Sequence, residues 1–242
     1  MFRFKQFSID DSRSALKVGT DGVLLGAWLR LDGSEKHILD VGTGSGVIAL
    51  MMAQRSSDAT VIGIDIDSPS VEDAKANMTA SPWAGRLAAF ESDFRGFGSA
   101  NHPQAFLSQC KYDVVVSNPP YFVNSLKAPD SRRSDARHTD ALTHRDLIEG
   151  AVRILSESGR LAVILPCAEA ELFVDEAAAS GLTLRRICRV STLEGGEPRR
   201  SLMEFSLCGK GSVPVEEKLA IQNESDFTVG YKSLTKDFYL KF

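Results

Sequence analysis

Residues able to do chemistry cluster at the ends of four apolar runs. The first run leads into LDVGTGSGVIAL, residues 39–50, where Gly42, Gly44 and Gly46 permit a sharp strand-to-helix turn and let a ligand approach main-chain N–H groups. The spacing is GxGxG. Val47 stands where the dinucleotide fingerprint GxGxxG requires glycine, so a nicotinamide-dependent oxidoreductase lacks its most specific element. Asp40, just ahead of the turn, would suit a ligand carrying an amine or a sulfonium. Asp65 closes the second run, where a carboxylate can accept both ribose hydroxyls of a nucleoside, and Asp93, in ESDF after the third, could meet an adenine amino group. The fourth run, Val114–Val116, passes into SNPPY, residues 117–121, where two prolines stiffen the chain as it leaves the strand. Asn118, Pro119, Pro120 and Tyr121 are thus expected at the edge of one nucleoside-shaped crevice.

The elements that must position these residues alternate. Runs of strand length occur at 37–41, 60–65, 86–92, 112–117 and 159–165, with helix-period stretches near 46–56, 70–79, 144–157 and 168–180. That order implies an α/β fold with a parallel sheet and helices on both faces. Two last runs, 184–191 and 201–207, are separated only by the turn-rich TLEGGEPRR, too short for a crossover helix, and should form an antiparallel hairpin. Seven strands are therefore expected. The long polar stretch 123–143, just after the prolines, reads as a functional loop.

Composition sets the outer limits. A chain of 242 residues, 43% hydrophobic and 25% charged, is ordinary for a globular protein, and is read as one domain spanning 1–242: an extension over 1–30, a core over 37–207 and a tail over 208–242. The N-terminus carries charges where a signal peptide needs an apolar region, and Gly22 to Leu31, interrupted by Arg30, is too short to span a bilayer. A soluble, cytoplasmic protein with no membrane partner is expected. Cys110, Cys167, Cys188 and Cys208 form no CxxC pair and the four histidines show no ligand spacing, so no metal is expected.

Taken in order, DVGTGSG, GIDID, SDF and NPPY resemble the S-adenosylmethionine-dependent methyltransferases that modify planar amino nitrogens, over about residues 37 to 207. The resemblance implies a Rossmann-like class I methyltransferase fold, with S-adenosyl-L-methionine as cofactor and Asn118 both catalytic and beside the cofactor. The residue types suit that chemistry. An exocyclic amine is a poor nucleophile because its lone pair is delocalised into the ring, and two acceptors on its N–H bonds, the Asn118 side-chain oxygen and the Pro119 carbonyl, would localise it. Prolines at 119 and 120 fix φ and aim that carbonyl in advance, and Tyr121 offers a ring for a base to stack on.

Both chain ends narrow the choice. Residues 2–28 and 231–242 are similar to those of the bacterial tRNA1(Val) adenine-N6 methyltransferases, which implies tRNA as partner and the adenosine 3′ of the anticodon, position 37, as target. Within KVGTDG the resemblance, together with the polar residues, places Lys17, Thr20 and Asp21 at the cofactor's methionine end; Thr20 as a plain helix cap is the competing reading. The net charge of −4 excludes a generally basic surface, yet Arg132, Arg133 and Arg137 follow NPPY, and Arg199 and Arg200 lie at the final hairpin, as a local phosphate-binding patch requires. The alternatives are a protein N5-glutamine methyltransferase or an RNA guanine-N2 methyltransferase, which share NPPY, and a non-catalytic RNA-binding module.

Overall fold

The computed structural model describes residues 1–99, 101–102, 107, 110–119, 142–209 and 211–242. After a short hairpin of β1 (Phe2–Arg3) and β2 (Ser8–Ile9), the elements run α1 (Thr20–Trp28), β3 (His37–Val41), α2 (Val47–Arg55), β4 (Thr60–Asp65), α3 (Ser68–Thr79), β5 (Leu87–Glu91) and β6 (Tyr112–Ser117). They continue with α4 (His144–Ile154), β7 (Leu155–Pro166), α5 (Cys167–Ala179), β8 (Thr183–Leu193), β9 (Pro198–Ser206), β10 (Val215–Gln222) and α6 (Val229–Thr235). One sheet holds β3 to β10 in the order β10-β8-β9-β7-β6-β3-β4-β5. From β7 to β5 every pairing is parallel, as the alternation of apolar runs and helices requires. β9 then runs antiparallel between β7 and β8.

Among the described residues the sheet has eight strands, one more than expected. The eighth is β10, in the segment expected to be a tail, and it pairs parallel with β8 at the sheet edge. Its sequence, VEEKLAIQ, is exposed or half-buried throughout, so it lacks the continuous apolar run that marks the inner strands. Inner strands alternate their side chains between two cores: Ile38, Val114 and Val116 face the one built on α1, α2 and α3, whereas Leu39, Val41 and Val115 face the one built on α4 and α5.

Both chain ends lie against the first core and against each other. Phe4 bridges Tyr239, the Lys5 N–H donates to the Phe238 carbonyl at 2.8 Å, and Phe4, Phe7, Tyr231 and Phe238 are buried together. The two segments that carried the resemblance to one family are therefore a single clasp. Among the described residues no helix is long and apolar enough to cross a membrane.

The order of strands reverses at β3, which has β4 on one side and β6 on the other. In open parallel sheets such a switch point leaves a crevice beyond the carboxyl ends of the strands. Gly42, Gly44, Asp65, Asn118 and Pro119 lie there, with Asp40 buried beneath.

Candidate active site

A cleft of about 830 Å³ opens at that switch point. Its floor is the turn between β3 and α2. Gly42, Gly44 and Gly46 all have positive φ, at 71°, 54° and 87°, and a side chain on Gly42 or Gly44 would meet nothing within 4 Å. Glycine is required there by the backbone, and without a Cβ at Gly42 and Gly44 the turn leaves open space that a ligand can fill. Gly46 instead packs on Ala74 and Met78 of α3 and starts α2 in the left-handed region.

Asp40 sits beneath this turn. It is fully buried, its Oδ2 accepting from Thr43 Oγ1 at 2.7 Å and from the Ala49 N–H at 3.1 Å, while Oδ1 has no partner among the described residues. Burial pushes its carboxyl up to about 7, which hydrogen bonds from Thr43 and Ala49 partly offset. Asp40 does not line the cleft. The direct amine or sulfonium contact expected of it gives way to support of the turn from below.

Asp65, the last residue of β4, does line the cleft, with Oδ2 on the Gly44 N–H at 2.8 Å and Oδ1 on the Asp67 N–H at 2.9 Å. Each oxygen keeps lone pairs for a further donor. Asp93 also lines the cleft, but its carboxylate is engaged by Arg95, with Nε at 2.8 Å and Nη2 at 2.7 Å from Oδ2. Burial alone would raise the Asp93 carboxyl; hydrogen bonds from Arg95 and its charge hold it below the ordinary range.

The opposite strand end brings Asn118, half-buried, and Pro119, buried, onto the same wall, next to Ser117, whose Oγ donates to the Val41 carbonyl at 2.8 Å. Pro120, Tyr121, Arg132, Arg133 and Arg137 lie outside the described residues. Residues 15–22 complete the cleft. Lys17 lines it, yet its ammonium folds back onto the carbonyls of Asp11, Ser12 and Ser14. Thr20 is the first residue of α1, whose N-cap is Gly19 without a side-chain cap bond, so the competing cap role for Thr20 is not realised. Asp21 pairs with Arg200 at 2.9 Å, joining a residue expected at the cofactor to one expected at RNA; Arg199 is exposed.

Sequence reasoning missed Ile66, Asp67, Ser70, Ser92 and Leu142 on the cleft wall. Asp67 was legible: an aspartate two residues before a proline at the start of a helical stretch is an N-cap signature, and its side chain accepts from the Ser70 N–H at 3.0 Å.

The methyltransferase small domain family matches residues 12–170. A tRNA1(Val) (adenine(37)-N6)-methyltransferase of Bacteroides fragilis is 42% identical over 240 residues, covering 99% of this chain and 98% of its own. The chain belongs to this methyltransferase family. A relative of the same description from Trichodesmium erythraeum is also 42% identical, over 245 residues, covering 100% of this chain and 98% of its own. The fold is that of the class I methyltransferases, as in the crystal structure of a predicted O-methyltransferase from Agrobacterium tumefaciens, with a TM-score of 0.64 at 20% identity, covering 90% of this chain and 96% of that one. The family needs S-adenosyl-L-methionine, and the cleft fits it: a glycine turn with open space above it and a carboxylate beside it at a strand end.

Proposed function

We propose that this enzyme methylates N6 of the adenosine immediately 3′ of the anticodon in a valine tRNA. The observation that carries the reading is the wall shared by two kinds of residue: Asn118 and Pro119 from the end of β6 line the same cleft as Gly42, Gly44 and Asp65. The near-full-length similarity to relatives described as tRNA1(Val) (adenine(37)-N6)-methyltransferases supports the choice of substrate.

S-adenosyl-L-methionine supplies an electrophilic methyl group. Gly42 and Gly44 leave room for it, the Asp65 carboxylate accepts from its ribose hydroxyls, and Lys17, Thr20, Asp21 and Asp93 stand around the remainder. The Asn118 Oδ1 and the Pro119 carbonyl accept from the two N–H bonds of the adenine amine and localise its lone pair. Transfer would form the N–C bond as the methyl–sulfur bond breaks, the sulfur leaving as a neutral thioether, and the nitrogen would then release one proton to water, so no general base is needed beforehand. Tyr121 stacks on the base, worth roughly 1 to 3 kcal/mol, which compensates for unstacking an unpaired loop base but not for opening a stable pair. Arg132, Arg133, Arg137, Arg199 and Arg200 contact phosphates. Action in the cytoplasm follows from the substrate.

The test is methylation of a valine tRNA transcript by purified protein with labelled cofactor. N6-methyladenosine is expected next to the anticodon, and little or none when an annealed oligonucleotide locks that adenosine in a duplex. Label on guanine N2, or on glutamine of a protein substrate with none on tRNA, would refute the reading. Replacing Arg132, Arg133 and Arg137 together should flatten the slope of log affinity against log salt by about 0.7 to 0.9 per lost phosphate contact.

A further inference from the structure

Helix α3 carries an unusual stripe. Asp67, its N-cap, and Ser70, Asp73 and Asn77 share one face by their spacing, and the last three are buried, at 3%, 1% and 6% exposure. Polar side chains are buried only where partners satisfy them. Here many of the partners are main-chain groups of residues 10–15. Asp73 Oδ2 accepts from the Arg13 N–H at 2.9 Å, the Ser14 N–H at 2.8 Å and Ser14 Oγ at 2.9 Å, and Oδ1 pairs with Arg13 Nε at 3.0 Å. Asn77 Oδ1 accepts from the Asp10 N–H at 2.8 Å, and its Nδ2 donates to the Asp10 carbonyl at 2.8 Å and the Ser45 carbonyl at 2.9 Å.

Neither Asp73 nor Asn77 lines the cleft, but Ser45, which Asn77 holds, does, and the segment held at residues 10–14 runs directly into the cleft wall at Ala15. Residues 15–19 form one part of its wall and Ser45, in the glycine turn, another. The Asn77 amide bonds to Asp10, at the start of the segment that becomes the first part, and to Ser45 in the second, and so ties the two together through one side chain. Buried polar networks of this kind specify one arrangement of the backbone more than they add stability.

We propose that Asp73 and Asn77 are positioning residues for cofactor binding, holding residues 10–18 as a fixed strap against the glycine turn. The inference rests on the reading of this cleft as the S-adenosyl-L-methionine site. Losing them lets the strap sample other positions, so cofactor affinity falls while the groups at Asn118 and Pro119 keep their places.

Calorimetric titration with S-adenosyl-L-methionine tests this on the full chain, for wild type, Asp73→Asn, Asn77→Ala and Ser14→Ala. Thr228→Ala serves as a control, because it removes a helix-cap bond to the Tyr231 N–H that involves none of residues 10–18. Asp73→Asn and Asn77→Ala should each weaken binding about tenfold or more, and Ser14→Ala by a few fold. Hydrogen exchange at the Asp10, Arg13 and Ser14 amides should speed up, with single-turnover rates at saturating cofactor unchanged. Thr228→Ala should lower the melting temperature yet keep wild-type affinity. Wild-type affinity in both α3 variants, or an equal loss in Thr228→Ala, would overturn the proposal. If both α3 variants fail to fold, unaltered affinity in Ser14→Ala overturns it instead. A wild-type protein that does not bind the cofactor would overturn the reading of the cleft itself, a failure distinguishable because no affinity is then left to lose.

Discussion

On the β3 and β4 side of the sheet, carboxylates bond mainly to the main chain: Asp65 to Gly44 and Asp67, Asp73 to Arg13 and Ser14, Asp113 to Lys36 and His37. On the β8, β9 and β10 side, acidic groups bond mainly to other side chains. Glu217 Oε2 accepts from Trp28 Nε1 at 2.7 Å, Arg186 lies within 3.3 Å of Glu217 and 3.7 Å of Glu204, and its guanidinium stacks over the Trp28 ring at 4.3 Å. Main-chain bonds fix the path of loops, among them the turns at Gly44 and Asp67 that line the cleft. Side-chain pairs join elements whose paths the sheet already fixes. One half of the molecule therefore shapes a site and the other holds it up, so substitutions in the two halves should separate function from stability.

Asn118→Ala should break the comparison's functional half most severely. Removing one preorganised acceptor is expected to lower the single-turnover rate about 10²- to 10³-fold while the calorimetric affinity for S-adenosyl-L-methionine stays within about twofold. The counterpart on the other side is Arg186→Ala. It strips the stacking on Trp28 and leaves the buried Glu204 without its guanidinium, a loss of roughly 3 kcal/mol in denaturant unfolding, with cofactor affinity and rate both unchanged. A fall in rate at full cofactor saturation would show that the reversed half shapes the site after all.

Asp65→Ala sharpens the distinction within the cleft. Losing acceptors for the ribose hydroxyls should weaken cofactor binding by about 1.5 to 3 kcal/mol in calorimetry, with single-turnover rates at saturation little altered. Asp40 acts on stability through pH. Its folded carboxyl is raised to about 7 from an ordinary 3.8, so ionisation is easier in the unfolded chain. Its contribution to stability is intact below about pH 4 and is lost as pH rises towards 7, by at most about 1.4 kcal/mol per pH unit. Asp40→Asn should remove that part of the slope, seen as a flatter unfolding free energy between pH 5 and 7 than in wild type.

Much of this was legible in the sequence where burial leaves a simple pattern. β3, β4 and β6 were read to the residue because inner parallel strands are continuous apolar runs, and the hairpin of β8 and β9 followed from a connection too short for a helix. β10 escaped because an edge strand with charged residues has no such run. Helix α1 is buried from Gly22 to Trp28, so it shows no amphipathic period to read. The stripe on α3 was hidden for the opposite reason: polar residues at helical spacing read as a solvated face, and here that face is turned inward onto another segment's backbone. Asp40 was misplaced because a strand-end aspartate beside a glycine turn suits contact with a ligand and support of the turn equally, and only burial separates the two.

The most direct measurement of the central claim is mass mapping of modified nucleosides in bulk tRNA from cells with this protein, without it, and supplied with Asn118→Ala in its place. N6-methyladenosine 3′ of the anticodon in valine tRNA is predicted only where the wild-type protein is present. The same modification in cells lacking the protein, or restored by Asn118→Ala, would contradict the account.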